Sequence, residues 1–564
     1  MTEEFDAIVV GSGVSGGWVT KELCEKGLKV LLVERGRQVE HGVDYPGEGR
    51  APWEFDLRGR LKEEEVEENH EIQKKCYAFY DGTSQFFVND KENPYEQAKD
   101  APFDWIRGYH SGGKSLLWHR QSYRWAAKDF ESNKKDGYGC DWPIRYDDLA
   151  PWYDYVEEFA GISGNKDGLD NLPDGVFQKP HEFTVLEKFA KEKIEENFPG
   201  RNLIMGRCAH LTEPTEEQMA LGRGLCQSRN ECQRGCSWGG YFSSLSATLP
   251  AAKRTNNLTM VHDKIVHSVI YDETTKKASG VRVIDSNTKA GGTYKAKMVF
   301  LCASTIPTTQ ILLNSKSETF KNGIANSSGV VGRYLMDHIF HFGADASHSG
   351  FTDRYYKGRR PTGIYIPRYV NYGDDDRDFL RGYGFQGGSS RTTWWRGNWQ
   401  EGVGADLKTS LKQPGKWRMH LGGYGEMLPY EDNTITLTNK TDKWGIPILK
   451  IDCTLRENEK KIMKAAADDA VDMLTQAGFE NVQGRYNLAA PGLSIHEMGT
   501  ARMGRDPKTS ALNGWNQAHD IDNLFVTDGA SMASSACQNP SLTYMALSAR
   551  AANYAVGLLK EGKL

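Results

Sequence analysis

The stretch from Asp6 to Gly36 most constrains what this chain can fold into. An apolar run, Asp6-Ala7-Ile8-Val9-Val10, meets Gly11-Ser12-Gly13-Val14-Ser15-Gly16, and a second run, Val30-Leu31-Leu32-Val33, is closed by Glu34-Arg35-Gly36. Short unbroken apolar runs of this length suit strands buried on both faces. A G-x-G-x-x-G turn between such a strand and a helix is the dinucleotide-binding fingerprint. Gly11 permits the tight turn, Gly13 lets the backbone approach a pyrophosphate, and Gly16 lets helix and strand pack closely. Val14 and Ser15 belong to the same cradle, whose helix N-terminus offers free N–H groups and partial positive charge to phosphates. Glu34, with Arg35 beside it, is placed to meet the adenosine ribose hydroxyls, and an acid there disfavours NADP. NAD and FAD share this fold, so the motif alone leaves both open.

At 564 residues the chain is too long for one ordinary core, and two intimately joined domains are expected. A formal net charge of -5 and no clustered basic stripe argue against a nucleic-acid partner. No apolar run approaches the length needed to cross a bilayer, and no charged-then-apolar leader precedes the first strand. On its own the chain reads as cytoplasmic. The acidic run Glu63-Glu64-Glu65-Val66-Glu67-Glu68 reads as a solvated helix face. Ten cysteines are too sparse for a disulfide scaffold, and Cys24, Cys302 and Cys453 sit in apolar company as small buried hydrophobes.

A second glycine turn follows, Arg107-Gly108-Tyr109-His110-Ser111-Gly112-Gly113-Lys114-Ser115-Leu116-Leu117-Trp118. It lacks P-loop spacing but suits close approach to a flat ring or its phosphates, which assigns Gly112, Gly113, Ser115 and Trp118 to the cofactor. Together with Trp142-Pro143-Ile144-Arg145-Tyr146-Asp147-Asp148-Leu149, Phe300-Leu301-Cys302-Ala303-Ser304-Thr305-Ile306-Pro307 and Val331-Gly332-Arg333-Tyr334-Leu335-Met336-Asp337-His338, it resembles the glucose-methanol-choline (GMC) flavoprotein oxidoreductases, in the branch of pyranose oxidases and bacterial sugar dehydrogenases. The resemblance spans nearly the whole length and implies FAD. It implies an α/β FAD-binding Rossmann-like domain of the p-hydroxybenzoate-hydroxylase type, plus an α+β substrate domain with an antiparallel sheet. The FAD-binding domain is assigned to 1–50, 100–150, 225–335 and 490–564, and the substrate domain with insertions to 51–99, 151–224 and 336–489. Val266 and Ala303 are further assigned to the cofactor. Pyranose oxidases carry a histidine just before the tryptophan of the second turn, bonded covalently to flavin. Leu117 stands there, with His110 and His119 out of register, so non-covalent FAD is expected.

Cys226, Cys232 and Cys236 fall at C-x5-C-x3-C in a loop-like stretch, 226–236. Three thiolates so close could converge on one soft metal centre. The alternatives are a disulfide with one free thiol, or zinc completed by a distant histidine such as His210. Bacterial FAD-dependent glucose dehydrogenases carry a similar triplet, and the resemblance implies a 3Fe-4S cluster.

Between His341 and Cys453 short apolar runs alternate with turns, as in antiparallel strands: Gly363-Ile364-Tyr365-Ile366, Tyr383-Gly384-Phe385, Trp417-Arg418-Met419-His420-Leu421, Thr434-Ile435-Thr436-Leu437 and Pro447-Ile448-Leu449-Lys450-Ile451. The tryptophans of Trp394-Trp395-Arg396-Gly397-Asn398-Trp399 suit a sugar face, or equally cover a core or face a partner. From Glu457 to Ala477 the spacing predicts an amphipathic helix.

The C-terminal stretch carries the chemistry. Ser494-Ile495-His496-Glu497-Met498-Gly499-Thr500 is followed by Phe525-Val526-Thr527-Asp528-Gly529 and by Gln538-Asn539-Pro540-Ser541-Leu542-Thr543. By resemblance His496 and Asn539 form the catalytic pair, while Asp528, Gly529, Asn539, Pro540 and Thr543 hold the cofactor. Pro540 suits the first position of a helix. Alcohol oxidation removes a hydroxyl proton as hydride leaves the carbinol carbon. A neutral imidazole is a fitting base, and an asparagine amide can both donate to and accept from that hydroxyl.

The resulting reading is an FAD-dependent dehydrogenase for a secondary hydroxyl of a sugar or glycoside. Oxidation of glucoside C3 is favoured over aldose C1 and gluconate C2, with electrons passing through the cluster to an external acceptor. A peroxide-forming oxidase similar to pyranose oxidase is the second enzyme reading, and an electron-transfer subunit with vestigial flavin is a rival of another class. The resemblance also implies a small partner subunit bearing a twin-arginine leader, a cytochrome c-type acceptor, and a periplasmic location if that subunit carries the chain.

Overall fold

The computed structural model describes residues 4–354, 361–373 and 375–564, and the side chains of Pro52, Trp395 and Asn398 lie outside the described residues. The opening motif forms the centre of a seven-stranded sheet. Strand Phe5–Val10 pairs in parallel with Val30–Val33 on one side and Gly291–Leu301 on the other. Leu258–Val261 extends the parallel set beyond Val30–Val33, and Leu524–Val526 joins Gly291–Leu301. Val30 to Val33 are all buried, as strands covered on both faces must be. An antiparallel meander, Lys264–Asp272 and Lys277–Asp285, grows off Gly291–Leu301.

Helix Val14–Glu25 is buried from Ser15 to Cys24 and packs against the C-terminal helix Ser541–Lys560. The chain leaves three parallel strands at one edge, through Gly11, Cys302 and Thr527. Ligands of open α/β sheets bind outside those carboxyl ends.

The second sheet has six strands in the order Glu480–Tyr486, Ile339–His348, Trp417–Gly425, Tyr383–Arg391, Ile364–Ile366 and Ile204–Met205, all antiparallel. Along Trp417–Gly425, Trp417, Met419 and Leu421 are buried while Arg418 and His420 are exposed. The buried set packs with Ile462, Ala466 and Ala470 of helix Glu457–Gln476. The opposite face of the sheet is thereby left free to wall a cavity.

One expectation needs correction, and one open alternative is narrowed. Thr434–Thr441 and Pro447–Asp452 are antiparallel to each other but form a separate three-stranded sheet with Glu96–Gln97, which pairs in parallel with Pro447–Asp452. Trp394 and Trp399 are 73% and 48% exposed on and just after the short 3-10 helix Trp394–Asn398, away from the cavity described next. Helix Glu63–Asn69 has no buried residue, as its acidic run leads one to expect. Among the described residues no helix is long and apolar enough to cross a membrane.

Candidate active site

A cavity of about 700 Å³ runs between the carboxyl edge of the first sheet and the free face of the second. One end is walled by Gly11, Ser12, Gly13, Val14, Ser15, Glu34 and Arg35, the other by His496, Asn539 and strands of the antiparallel sheet. Gly11 has φ +95°, and a Cβ there would lie 2.6 Å from the Cys302 carbonyl oxygen. A Cβ at Gly16 would lie 1.8 Å from the Gly11 carbonyl oxygen, so strand, turn and helix pack here without room for a methyl group. Gly13 faces open space and caps helix Val14–Glu25 without a side-chain hydrogen bond. The first-turn N–H groups are thus open to the cavity, a fitting seat for a diphosphate.

Glu34 braces this turn as well as lining the cavity. Its Oε2 accepts from Ser12 N at 3.0 Å and Ser12 Oγ at 2.5 Å, and its Oε1 accepts from Gly36 N at 2.9 Å. Burial raises its pKa against these bonds. Arg35 lies over the Tyr109 ring, 4.0 Å from its centroid. The two glycine turns are stitched together: Gly112 N donates to Ser12 Oγ at 2.9 Å, and Ser115 Oγ donates to the Gly112 carbonyl at 2.6 Å.

Gly113, Ser115, Leu117, Trp118, Val266, Ala303, Asp528 and Gly529 also reach the cavity wall. Asp528 accepts from Thr308 Oγ1 at 2.5 Å and Ala530 N at 3.0 Å, and burial pushes its carboxyl up to about 6. Four residues assigned to the cofactor stand behind the wall instead. Gly16 and Gly112 act through packing and bracing, and Pro540 occupies the cap position, with Ser541 opening the helix. Thr543 is buried one turn on and shares a 2.8 Å hydrogen bond with Tyr153 OH.

His496 and Asn539 meet at the far end. Asn539 Nδ2 lies 3.4 Å from His496 Nε2, and Gln386 Nε2 donates to Asn539 Oδ1 at 2.6 Å. That second bond fixes the amide. The amide oxygen already accepts one hydrogen bond, which orients the Asn539 side chain with Nδ2 toward His496. Burial, His338 and Lys114 together hold the His496 imidazole well below the usual histidine range. Lys114 pairs with the buried Glu497 at 3.0 Å.

The loop carrying His496 is held by a dipeptide that the sequence reading did not assign to the site. Asp337 accepts from Gly492 N at 2.6 Å, from His496 N at 3.0 Å and from Ser494 Oγ. His338, buried beside it, brings Nδ1 to 2.9 Å from His496 Nδ1. The pairing of Met498–Thr500 with Arg333–Met336 sets these two segments side by side. Gln386 also went unassigned, as one polar residue in a glycine-rich strand. A run of Asp-His matched to a later His is the signal that was available for the first pair.

Cys226, Cys232 and Cys236 line one small cavity with His210, whose Nε2 is 3.6 Å from Cys232 Sγ. All three thiols are free, so none is in a disulfide. Among the described residues no group of three or more His, Cys, Asp or Glu side chains is assembled to hold a metal ion. The three thiols, which the resemblance implies as cluster ligands, share this one cavity. Arg120 joins this loop to the main cavity, donating to the carbonyls of Leu116 and Cys232.

A dinucleotide cradle at one end of a cavity and a histidine–asparagine pair at the other fit an oxidoreductase acting on CH–OH groups. Models of the GMC oxidoreductase N- and C-terminal regions match residues 5–340 and 429–548, and the chain belongs to the GMC oxidoreductases, which bind FAD. It is 28% identical to a 2-methyl-1,2-propanediol dehydrogenase of Mycolicibacterium austroafricanum, over 98% of this chain and 95% of the relative. It is 24% identical to the fructose dehydrogenase large subunit of Gluconobacter japonicus, over 99% and 98%. Paromamine 6'-oxidase of Streptomyces fradiae is 24% identical over 98% and 91%. The fold is shared with pyridoxine 4-oxidase from Mesorbium loti, with a TM-score of 0.60, 16% identity, and 98% and 99% of the two chains covered.

Proposed function

We propose that this chain is an FAD-dependent dehydrogenase that oxidises a secondary hydroxyl of a sugar or glycoside, with C3 of a glucoside as the favoured position. The observation that carries this reading is the pairing of His496 Nε2 with Asn539 Nδ2 at 3.4 Å on the wall of the cofactor cavity. FAD, when bound, supplies the hydride acceptor. His496 takes the hydroxyl proton at Nε2, and its depressed pKa keeps it neutral and ready to do so. Asn539 Nδ2 donates to the oxygen on which negative charge develops, a contact worth most at the transition state. Gln386 holds that amide in its donating orientation.

The substrate side of the cavity supports a polyhydroxylated ligand. Gln386, His420, Tyr424 and Asn487 bring polar groups to the wall. Phe340 and Tyr424 stack with ring centroids 5.8 Å apart, an apolar face of the kind that sugar rings pack on. The relatives act on polyols and sugars by name, which supports the class of substrate and not the carbon.

FAD is proposed to be held without a covalent bond, a reading supported by Leu117 on the cavity wall at the position where pyranose oxidases carry the linking histidine. Acid precipitation should release all the flavin into the supernatant. A 3Fe-4S cluster on Cys226, Cys232 and Cys236 is proposed on the convergence of these thiols on one cavity, and no step of the oxidation depends on it. Iron and acid-labile sulfide in protein purified without air, lost together in Cys232→Ser, are the expected result. Their absence would exclude the cluster. A companion subunit is part of the same proposal, supported by the relative named as a large subunit, and a cytochrome c-type acceptor and a periplasmic location are proposed with it from the family resemblance alone.

The test is a screen of methyl glucosides, aldoses, gluconate and simple diols with an artificial electron acceptor, followed by NMR of the product. Dye reduction with little peroxide is expected. Peroxide as the main product would favour the oxidase reading, for which the paromamine 6'-oxidase relative speaks. A flavin that no alcohol bleaches under argon would overturn the enzyme reading.

A further inference from the structure

Two imidazoles in contact leave a question that the His496 and Asn539 pair does not answer: which nitrogen of His496 carries the hydrogen. A base must present a lone pair toward the substrate, and a neutral imidazole has one lone pair and one N–H. The surroundings of His338 settle the matter. His338 Nε2 faces the Ser535 carbonyl oxygen at 3.5 Å, which only an N–H can satisfy. A lone pair placed there would face the lone pairs of the carbonyl. Neutral His338 therefore has its lone pair on Nδ1.

That lone pair points at His496 Nδ1 across 2.9 Å, a separation that requires one hydrogen between the two nitrogens. His496 must supply it. With hydrogen on Nδ1, His496 has its lone pair on Nε2, toward the cavity, where Asn539 Nδ2 approaches it as a donor at 3.4 Å. Every donor in the chain then meets an acceptor, from Asn539 through His496 and His338 to Ser535. The reverse arrangement sets a lone pair against a carbonyl at one end and N–H against N–H at the other.

We propose that His338 is a positioning residue that fixes the tautomer and ring orientation of His496, so that Nε2 faces the substrate as the base. It rests on the reading of His496 as that base. Once Nε2 takes up the alcohol proton, His496 becomes a cation whose Nδ1–H bond to His338 is charge-assisted and stronger. A neutral imidazole thus stands where an acid commonly orients a catalytic histidine. Asp337, the nearest carboxylate in sequence, does not perform this task, because its oxygens bond Gly492 N, Ser494 Oγ and His496 N.

The experiment has two readouts. In holoenzyme labelled with 15N at histidine alone, the bridging N–H should give a low-field proton resonance, split by 15N, that disappears in His338→Leu. Under anaerobic stopped flow with whichever alcohol bleaches the wild-type flavin, His338→Leu should slow flavin reduction by about 10²-fold. His338→Asn, whose Oδ1 can accept from His496 Nδ1–H, should recover most of that loss. A missing resonance in the wild type would overturn the proposal, as would a leucine variant reduced at the wild-type rate, or an asparagine variant as slow as leucine. If no alcohol reduces the wild-type flavin while the resonance is present and lost in His338→Leu, the functional reading fails and the tautomer assignment stands.

Discussion

Substituting Gly16 and Gly13 by alanine should separate what the fold demands of the first turn from what the cofactor demands. A Cβ at Gly16 would lie 1.8 Å from the Gly11 carbonyl oxygen, against a floor near 3.0 Å, so the two must part by at least 1.2 Å. The turn has nowhere to retreat, because the room for a Cβ at Gly11 is already closed by the Cys302 carbonyl at 2.6 Å. Alanine in a helix interior gains about 1 kcal/mol over glycine, but forced overpacking costs about 1–3 kcal/mol and more when backbone must move. Gly16→Ala should therefore lower the melting temperature of the FAD-free protein and weaken FAD by about 10²-fold or more. Gly13 is different: its φ of -69° suits alanine, and its Cβ would meet nothing within 4 Å. Gly13→Ala should leave FAD-free melting unchanged and still lower FAD content, because the methyl enters the space a diphosphate would fill. Melting curves of stripped protein and flavin content after reconstitution measure both. Full FAD with unshifted melting in Gly16→Ala would refute the packing argument, and lowered apoprotein melting in Gly13→Ala would refute the cradle.

Further expectations concern the reacting end. Gln386→Leu frees the Asn539 amide to rotate and should slow flavin reduction by about fivefold, the worth of one hydrogen bond of about 1 kcal/mol, with little change in substrate affinity. A reduction rate equal to wild type would show that the amide needs no holding. Burial, His338 and Lys114 all lower the pKa of His496, so the base stays unprotonated further into acid than an ordinary histidine. The acid limb of the pH profile for flavin reduction should lie below the usual histidine range, and Lys114→Gln, by removing a positive charge, should move it upward. A limb that moves downward would contradict the electrostatic argument.

Much of this was readable before any coordinates. The buried strands and glycine turn near Gly11 carry their own pattern, and three strands of the second sheet, Ile364–Ile366, Tyr383–Arg391 and Trp417–Gly425, announce themselves as short apolar runs between turns, whereas Ile204–Met205, Ile339–His348 and Glu480–Tyr486 do not. What the sequence concealed are contacts between distant segments. Glu96–Gln97 is a strand of two residues, created by pairing with Pro447–Asp452. His338 and His496 are 158 positions apart and meet only because Arg333–Met336 pairs with Met498–Thr500. Gln386 gained its role from the register of its strand. The cysteine triplet is the opposite case, in which close spacing in sequence does bring three thiols to one cavity.

The central claim is that His496 is the base for alcohol oxidation, and anaerobic reduction of the bound flavin in His496→Ala tests it most directly. The variant should keep its full complement of FAD, since no FAD-binding feature described above depends on that imidazole. Its flavin should be reduced by substrate about 10²–10⁴-fold more slowly than wild type. Reduction at the wild-type rate would contradict the account.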